Sequence, residues 1–400
     1  MNKKIRVGLI YGGKSGEHDV SLSTAKAVIG EFDFDKYEVF PFYITKQGQW
    51  RAGGQLLAPV DDVARLTFEA GGATLENSRA LAPLFGALPG ETAPAAGADV
   101  SAAARAAAGA EVAVSGVSTP DASGAGELPA VDVVFPLLHG TFGEDGTIQG
   151  MLEMLNIPYV GAGVLASAVG MDKVAMKKMF AAAELPQCVY RHFTRKQWEK
   201  DRSFFIMEIE VSLGYPCFVK PANLGSSVGV SKARNREELI EAVREAFQFD
   251  RKVIVEEFVD AREIEVSVLG NDEPRASVPG EITSSSEFYD YKAKYIDGKS
   301  IMTIPADIPL ETAQAAQEMA IRAFQAIDGS GLARVDFFLR KEDGKLLLNE
   351  INTLPGFTPF SMYPLLWKES GLAYRELLDE LVRLAIERHA EKQTIKYGME

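Results

Sequence analysis

The chain has 400 residues, 46% hydrophobic and 24% charged, ordinary for a globular protein and enough for two or three domains with substantial cores. Its formal net charge of −14 argues against nucleic acid or an anionic membrane as a main partner, yet leaves room for a local basic pocket. Two cysteines, Cys188 and Cys217, are too few for a disulfide framework, and neither a signal h-region nor a transmembrane run is visible, so a cytoplasmic location is expected.

The first predicted elements are a buried strand over 5–10 and a helix over 20–29, joined by a Gly-rich turn in the manner of a nucleotide-binding α/β domain. Residues 8–15, GLIYGGKS, match G-x-x-x-x-G-K-[ST] letter for letter. The first Gly, however, falls inside the strand, and no later apolar strand ends in an aspartate that would hold the Mg²⁺ of a P-loop. Glu17, at the coming helix's start, could hold a substrate ammonium or simply complement the helix dipole.

Strands are expected over 37–44 and, weakly, 49–57. From about 58 to 127 the composition changes, and the run AAGADVSAAARAAAGAEVAVSGVSTPDASGAGE can bury little surface, so a mobile insertion or loosely held helical excursion is expected there. A strand over 131–138 runs into HGTFGEDG, residues 139–146, and a Gly-rich loop at a strand's C-terminal end is where open α/β sheets place ligands. His139 is therefore a candidate, with a structural loop histidine as the alternative. A helix over 147–155 and a short strand over 158–160 precede Gly161-Ala162-Gly163, a plausible interdomain hinge.

A single helix over 165–183 is expected to carry Lys173. A strand over 216–220 ends in Lys220, followed by NLGSSVGV, residues 223–230. Its glycines, with Ser226 and Ser227, suit a flap over phosphates, for which Lys220 supplies a point charge; a plain hairpin turn is the alternative. A strand over 252–258 and its continuation over 263–269 place Glu256 and Glu263 about a bend, where acidic side chains suit the hydrogen-bond donors of a ribose and an adenine. Residues 287–295, EFYDYKAKY, read as a loop folding over a site. Amphipathic helices over 311–327 and 372–389 are expected to cover the sheet.

The most informative stretch is GLARVDFFLRKEDGKLLLNEINTLPG, residues 331–356. Two β-prone runs flank Glu342-Asp343-Gly344, a loop whose glycine suits φ > 0. A hairpin turning about Asp343 sets Arg334 opposite Asn352 and Asp336 opposite Glu350, all on one face, with Phe338 and Leu348 as the next pair leading into the core. Carboxylates and an amide gathered on such a face are hard oxygen ligands of the kind Mg²⁺ takes, and Arg334 would sit where it stabilises a developing oxyanion. The alternative is a cross-strand ion-pair cluster on a solvated face.

Taken together, GGKSGEHDVSLSTA, LHGTFGEDGTIQGMLE, MDK, FVKPANLGSSVGV, VEEFVDAREIEV, YDYKAKY, ARVDFFL and NEINTLPGFTPFSMYP make the chain resemble an ATP-grasp enzyme, and closely the D-alanine–D-alanine ligase family. The resemblance runs almost end to end, failing only in the Ala/Gly-rich segment. It implies an α/β fold, α+β in the C-terminal half: an N-terminal parallel-sheet domain over 1–161, then ATP-grasp subdomains over 162–264 and 265–400. It further implies that Lys173 and Lys220 contact ATP phosphates under a loop containing Ser227, and that Glu256, Phe258, Val259 and Glu263 hold adenosine. Asp336, Glu350 and Asn352 would bind two Mg²⁺ or Mn²⁺ ions, with K⁺ admitted as an activator.

For the amino-acid substrates, the resemblance implies that Glu17 receives the first D-alanine's ammonium, linked to Ser226 and Tyr295. Arg334 and the Gly356 N–H would form the oxyanion site, Lys294 and Ser361 would position the second D-alanine's carboxylate, and His139 would lie near the substrates. The implied activity is ATP-dependent ligation of two D-alanines through an acyl phosphate for peptidoglycan precursors, by a homodimer formed through the N-terminal domain. Tyr295, within A-K-Y, marks D-alanine as the acceptor in this family. Phe360, where some relatives carry histidine, and the long 58–127 segment are departures. The other readings are a D-Ala–D-Ser or D-Ala–D-lactate ligase, a P-loop NTPase dependent on Lys14, and a nucleotide-binding regulatory protein with a dead site.

Overall fold

The computed structural model describes residues 3–68, 75–76, 130–225, 228–283 and 301–398. Ser226, Ser227, Lys294, Tyr295 and most of the 58–127 segment lie outside the described residues.

The N-terminal sheet is built from β1 (Ile5–Gly12), β2 (Tyr37–Ile44), β3 (Trp50–Ala52), β4 (Leu75–Glu76) and β5 (Val133–Leu137), in the order β4-β3-β2-β1-β5. Only β2-β1-β5 is parallel, and β3 and β4 add an antiparallel edge. Gly8 lies inside β1, as the P-loop argument required. Helix α1 (His18–Glu31) follows β1, and α2 (Thr147–Met154) follows the loop after β5. The strand expected over 158–160 is reduced to one parallel bridge between Tyr159 and Val134. The early part of the 58–127 segment is no loose excursion: a short 3₁₀ turn, Val63–Leu66, puts Leu66 and nearby Val60 into the N-terminal core, and the Leu66 carbonyl accepts the Tyr11 hydroxyl at 2.9 Å.

The single helix expected over 165–183 is two, α3 (Val164–Met171) and α4 (Lys173–Ala182). Asp172 breaks it with an extended backbone (ψ 100°), and its carboxylate accepts from the Val174 and Ala175 N–H groups, starting a new helix. Lys173 thus becomes a first-turn residue whose own N–H is bound to the Ala222 carbonyl. A four-stranded antiparallel sheet follows, made of β6 (Tyr190–Thr194), β7 (Cys217–Pro221), β8 (Ser231–Ala233) and β9 (Lys252–Glu257), ordered β6-β9-β7-β8. Helices α5 (Arg195–Lys200), α6 (Arg202–Ser212) and α7 (Arg236–Ala246) complete this unit, and their apolar faces join Phe193, Val219 and Val255 in one core.

The strand after β9 does not continue its sheet. The chain leaves at Glu257 and enters a third sheet at β10 (Ala261–Gly270), so the bend over 258–260 is a crossing between sheets. That sheet contains β11 (Arg275–Ala276), β12 (Gly280–Thr283), β13 (Ile301–Thr303), β14 (Gly331–Arg340) and β15 (Leu346–Asn352), with main order β13-β12-β10-β14-β15 and β11 paired to β10. Helix α8 (Leu310–Ala326) covers it through Ala316, Ala320, Ala323 and Phe324. After α9 (Met362–Glu369), α10 (Tyr374–Lys392) also meets this sheet, in a core that contains Leu269 of β10 and Leu332 of β14. Its Leu377, Leu381 and Ala385 pack in the N-terminal core with Val7 and Val133, fastening the chain's end to its beginning.

The β14–β15 hairpin has the expected turn, with Gly344 at φ +70°, and the expected pairs Arg334–Asn352 and Asp336–Glu350. It departs one step later: Phe337 faces Leu348 and Phe338 faces Leu347, so Asn349 is an extra residue in a β-bulge. The expected Phe338–Leu348 pair is therefore absent. The bulge lets Leu348 turn into the core with Phe337, at 0% and 1% exposure, while Phe338 stays on the half-open polar face. Phe337→Ala should therefore cost about 3–5 kcal/mol of stability and Phe338→Ala much less, read by chemical denaturation. A larger loss for Phe338→Ala than for Phe337→Ala would contradict this packing.

Candidate functional site

On the half-open face of the third sheet, β10, β14 and β15 set three carboxylates around one guanidinium. Register places Glu265 beside Asp336 and Asp336 beside Glu350, with Arg334 between Ser267 and Asn352. The Arg334 guanidinium donates to both Asp336 oxygens at 2.7 Å and lies 3.1 Å from Glu265, and the Asn352 amide donates to Asp336 at 2.9 Å. Burial works against the guanidinium's charge, but Asp336, Glu265 and Glu350 outweigh it and hold the arginine's pKa well above its ordinary value. Glu265 was missed from sequence, although Glu263-Ile264-Glu265 alternates as a strand with an acidic face should.

This donor set fits a magnesium-type ion. The carboxylates outnumber the cation they face, and Asp336, Glu350 and the Asn352 amide are hard oxygen donors. Among the described residues no three His, Cys, Asp or Glu side chains converge as a complete metal cage. A site that draws its remaining ligands from water and substrate phosphates needs none.

The second sheet presents its charges to the same cleft. Glu256, 2% exposed, is gripped by two ammonium groups, Lys177 at 2.9 Å and Lys220 at 2.5 Å. Burial alone would raise the Glu256 pKa, yet Lys177 and Lys220 together pull it down to about 2. Lys220 is likewise disfavoured by burial but raised by Glu256 and then Glu350, which ties this lysine to the acidic face of β15. Glu256, expected to hold adenosine, is thus committed first to lysines. Lys177 escaped notice, although it lies one helical turn after Lys173 on α4.

Lys173 donates from Nζ to the Leu224 carbonyl at 2.8 Å, pinning the start of the Gly-rich segment. Phe258 is 41% exposed, beside Phe218 at 6.2 Å between ring centroids and under Lys232 Nζ at 4.5 Å, and half-buried Val259 follows it in the crossing between sheets. Glu263 pairs with Phe338 across β10 and β14 at the same end of the cleft.

At the other end, Glu17, His139, Gly140 and Gly225 come together. Glu17 is 9% exposed and stands at the N-terminus of α1, where its carboxylate makes no side-chain cap bond. Gly140 has φ +78°, a backbone conformation that favours glycine, and a Cβ there would lie 2.7 Å from Glu17 Oε2, so a side chain would also displace that carboxylate. Ser15, Glu17, Gly140, Thr141, Gly225 and Val228 line a cavity of about 180 Å³. His139 is buried; Nε2 meets Thr24 Oγ1 at 3.1 Å and Nδ1 lies 3.8 Å from Glu144. Burial opposes its protonation, but Glu144 and then Glu17 outweigh it and raise its pKa. Glu144, in the quoted loop but not singled out, also accepts the Gly140 N–H at 2.9 Å.

Near the third sheet, Ser361 precedes α9 and its Oγ accepts the Thr358 N–H at 3.1 Å. Gly356 packs close by, since a Cβ there would sit 3.1 Å from Ser361 Oγ. Phe360 is 82% exposed. Lys14 lies 5.9 Å over the Phe142 ring.

Two titrations follow. Glu256 has a depressed folded pKa, so its contribution to stability is complete above about pH 4.5 and is lost as pH falls towards about 2. The stability gap between wild type and Glu256→Gln should accordingly narrow over that interval. Glu144→Gln should lower the pKa of His139, read by NMR among the chain's 4 histidines; an unmoved pKa would deny the carboxylate its influence.

Two family models cover most of the chain: D-ala D-ala ligase N-terminus over residues 6–162 and D-ala D-ala ligase C-terminus over 179–383. The D-alanine–D-alanine ligase of Bacillus cytotoxicus is 53% identical over 394 residues, 98% of this chain and 99% of that one. That of Geobacillus kaustophilus is 52% identical over 98% of each. Among solved structures, a D-alanine–D-alanine ligase from Coxiella burnetii aligns with TM-score 0.72 and 32% identity, over 98% of this chain and 96% of that one. A D-Ala:D-Ser ligase from Enterococcus faecalis aligns with TM-score 0.74 and 31% identity, over 96% and 100%. With both halves matched in order and the acidic hairpin, paired lysines and Glu17 cavity gathered on one cleft, the chain belongs to the D-alanine–D-alanine ligase family.

Proposed function

We propose that the cleft joins two D-alanines into D-alanyl-D-alanine at the expense of ATP, through a D-alanyl phosphate. The observation that carries this reading is the Arg334–Asp336–Glu350 face lying against Lys220 across the gap between two sheets. A carboxylate resists attack by an amine, so its oxygen must first become a leaving group, and that requires a charged phosphoryl donor, cation stabilisation and a dry site.

Lys220 and Lys173 meet the nucleotide phosphates under the Gly225–Gly229 loop, to which Ser227 belongs. Phe258, Val259 and Glu263 receive the adenosine, with Glu256 at its edge. Asp336, Glu350 and Asn352 would hold Mg²⁺ or Mn²⁺, which would neutralise charge on the transferring phosphoryl group. Glu17 accepts the first D-alanine's ammonium, aided by Ser226 and Tyr295, while His139 borders that pocket. Lys294 and Ser361 position the second D-alanine's carboxylate. As its amine attacks, Arg334 and the Gly356 N–H receive the negative charge that develops on oxygen.

The reading extends to K⁺ activation, a homodimer formed through the N-terminal domain and a cytoplasmic enzyme. Among the described residues no helix is long and apolar enough to cross a membrane. D-Serine as acceptor is the second reading, favoured by the likeness to the D-Ala:D-Ser ligase; Ala293-Lys294-Tyr295 supports D-alanine instead.

Phosphate release from Mg·ATP should require D-alanine, ignore L-alanine and collapse in Glu350→Gln. Turnover indifferent to D-alanine would sink the proposal. Arg334→Ala should lower kcat by about 10²–10³. Lys220→Ala should be severe and Lys14→Ala mild, and the reverse order would favour a P-loop.

A further inference from the structure

Lys177 has no part in the mechanism above, yet it is the most enclosed charge in the cleft. It is 0% exposed, and its Nζ reaches Glu256 Oε1 at 2.9 Å, the Asn349 carbonyl at 3.3 Å and Cys188 Sγ at 3.6 Å, with the Tyr190 ring centroid 5.8 Å away. An ammonium has three N–H donors, and these three acceptors take them up. Burial pushes the Cys188 thiol up to about 11, so it serves as a neutral neighbour rather than a nucleophile.

Lys220 holds the other oxygen of Glu256, but its side chain is 15% exposed against 1% for Lys177, and it stands at the end of β7 before the Gly-rich segment. Of the two ammonium groups, only Lys220 is placed to turn towards a ligand. If it did so with no second cation present, a buried carboxylate would be left without a counter-charge, which is costly in a low-dielectric interior.

We propose that Lys177 is a positioning residue that keeps Glu256 neutralised and in place, so that Lys220 is released to the nucleotide phosphates. This rests on the reading of Lys220 as a phosphate ligand. The Asn349 contact gives Lys177 a second task. Asn349 is the bulge residue directly before Glu350, so one ammonium fixes both the Glu256 carboxylate of the second sheet and the acidic strand of the third. Without Lys177, Glu256 would monopolise Lys220, and affinity for phosphate would fall while affinity for adenosine persisted.

The test compares calorimetric affinities for adenosine and for a non-hydrolysable ATP analogue with Mg²⁺, in wild type, Lys177→Met, Glu256→Gln and the double variant. Lys177→Met should weaken the analogue by about tenfold or more relative to adenosine, the scale set by withdrawing one charge-assisted contact. Adding Glu256→Gln should restore the wild-type ratio, because the carboxylate no longer retains Lys220. A merely structural lysine would weaken both ligands together, and a double variant no better than Lys177→Met would overturn the proposal.

Should Lys177→Met fail to fold, Glu256→Gln alone decides. It should raise the analogue-to-adenosine affinity ratio above wild type, and an unchanged or lowered ratio refutes the idea. Lys220→Ala separates the two readings. If it keeps the full preference for the analogue over adenosine, the phosphate role of Lys220 itself is wrong, whatever the Lys177 variants do.

Discussion

The pairing of β14 with β15 is the constraint on which the cleft depends. Strand side chains alternate, so one register sets Arg334, Asp336, Glu350 and Asn352 on a common face, and a slip by one residue would bury them in the apolar core. The bulge at Asn349 makes this arrangement compatible with packing. It absorbs one residue between Glu350 and Leu348, so that Glu350 points to the cleft while Leu348 fills the core beside Phe337. The same bulge carries the carbonyl that receives Lys177. A local irregularity in one strand thereby connects the acidic face to a lysine of helix α4.

Charge inside the cleft is arranged in unequal amounts on its two walls. The third sheet presents carboxylates in excess of its arginine, whereas on the other wall Lys220 of the second sheet and Lys177 of α4 face one glutamate. Each wall is partly satisfied within itself, as buried charge must be, and each retains affinity for a ligand of opposite sign. A polyphosphate carried with divalent cations has the complementary pattern: its anionic oxygens suit the lysines and its cations suit the carboxylates. This distribution also reconciles a chain of net charge −14 with an anionic substrate, since positive charge is gathered locally where Lys177 and Lys220 meet Glu256.

The N-terminal domain contributes through two loops at the C-terminal ends of β1 and β5, where an open parallel sheet leaves its crevice. Gly140 matters because its φ of +78° favours glycine and a side chain there would press on the Glu17 carboxylate. Helix α10 holds this domain against the rest, since its apolar face belongs to the N-terminal core and Arg388 donates to the Tyr159 carbonyl at 2.9 Å and to the Gly161 carbonyl. Gly161 is thereby tied to the chain's last described helix.

Much was legible before any coordinates. Periodicity located β1, β2, α8 and α10 because each repeats its apolar residues at the spacing of its own geometry, and the Gly344 turn set the hairpin register because a strand has a period of two. Local chemistry also singled out Glu17 and Lys220 as candidates, and Arg334, Asp336, Glu350 and Asn352 as residue types costly to gather on one face beside a core without partners. What sequence could not supply were relations between elements distant in the chain. The assignment of β9 and β10 to different sheets, the break at Asp172 and the seating of α10 on the N-terminal core depend on which surfaces find one another. The same holds for Glu265, Lys177 and Glu144. On a lone strand, helix or loop they are ordinary exposed charges, and only packing against 334, 256 and 139 turns each into a buried partner whose ionisation the site depends on.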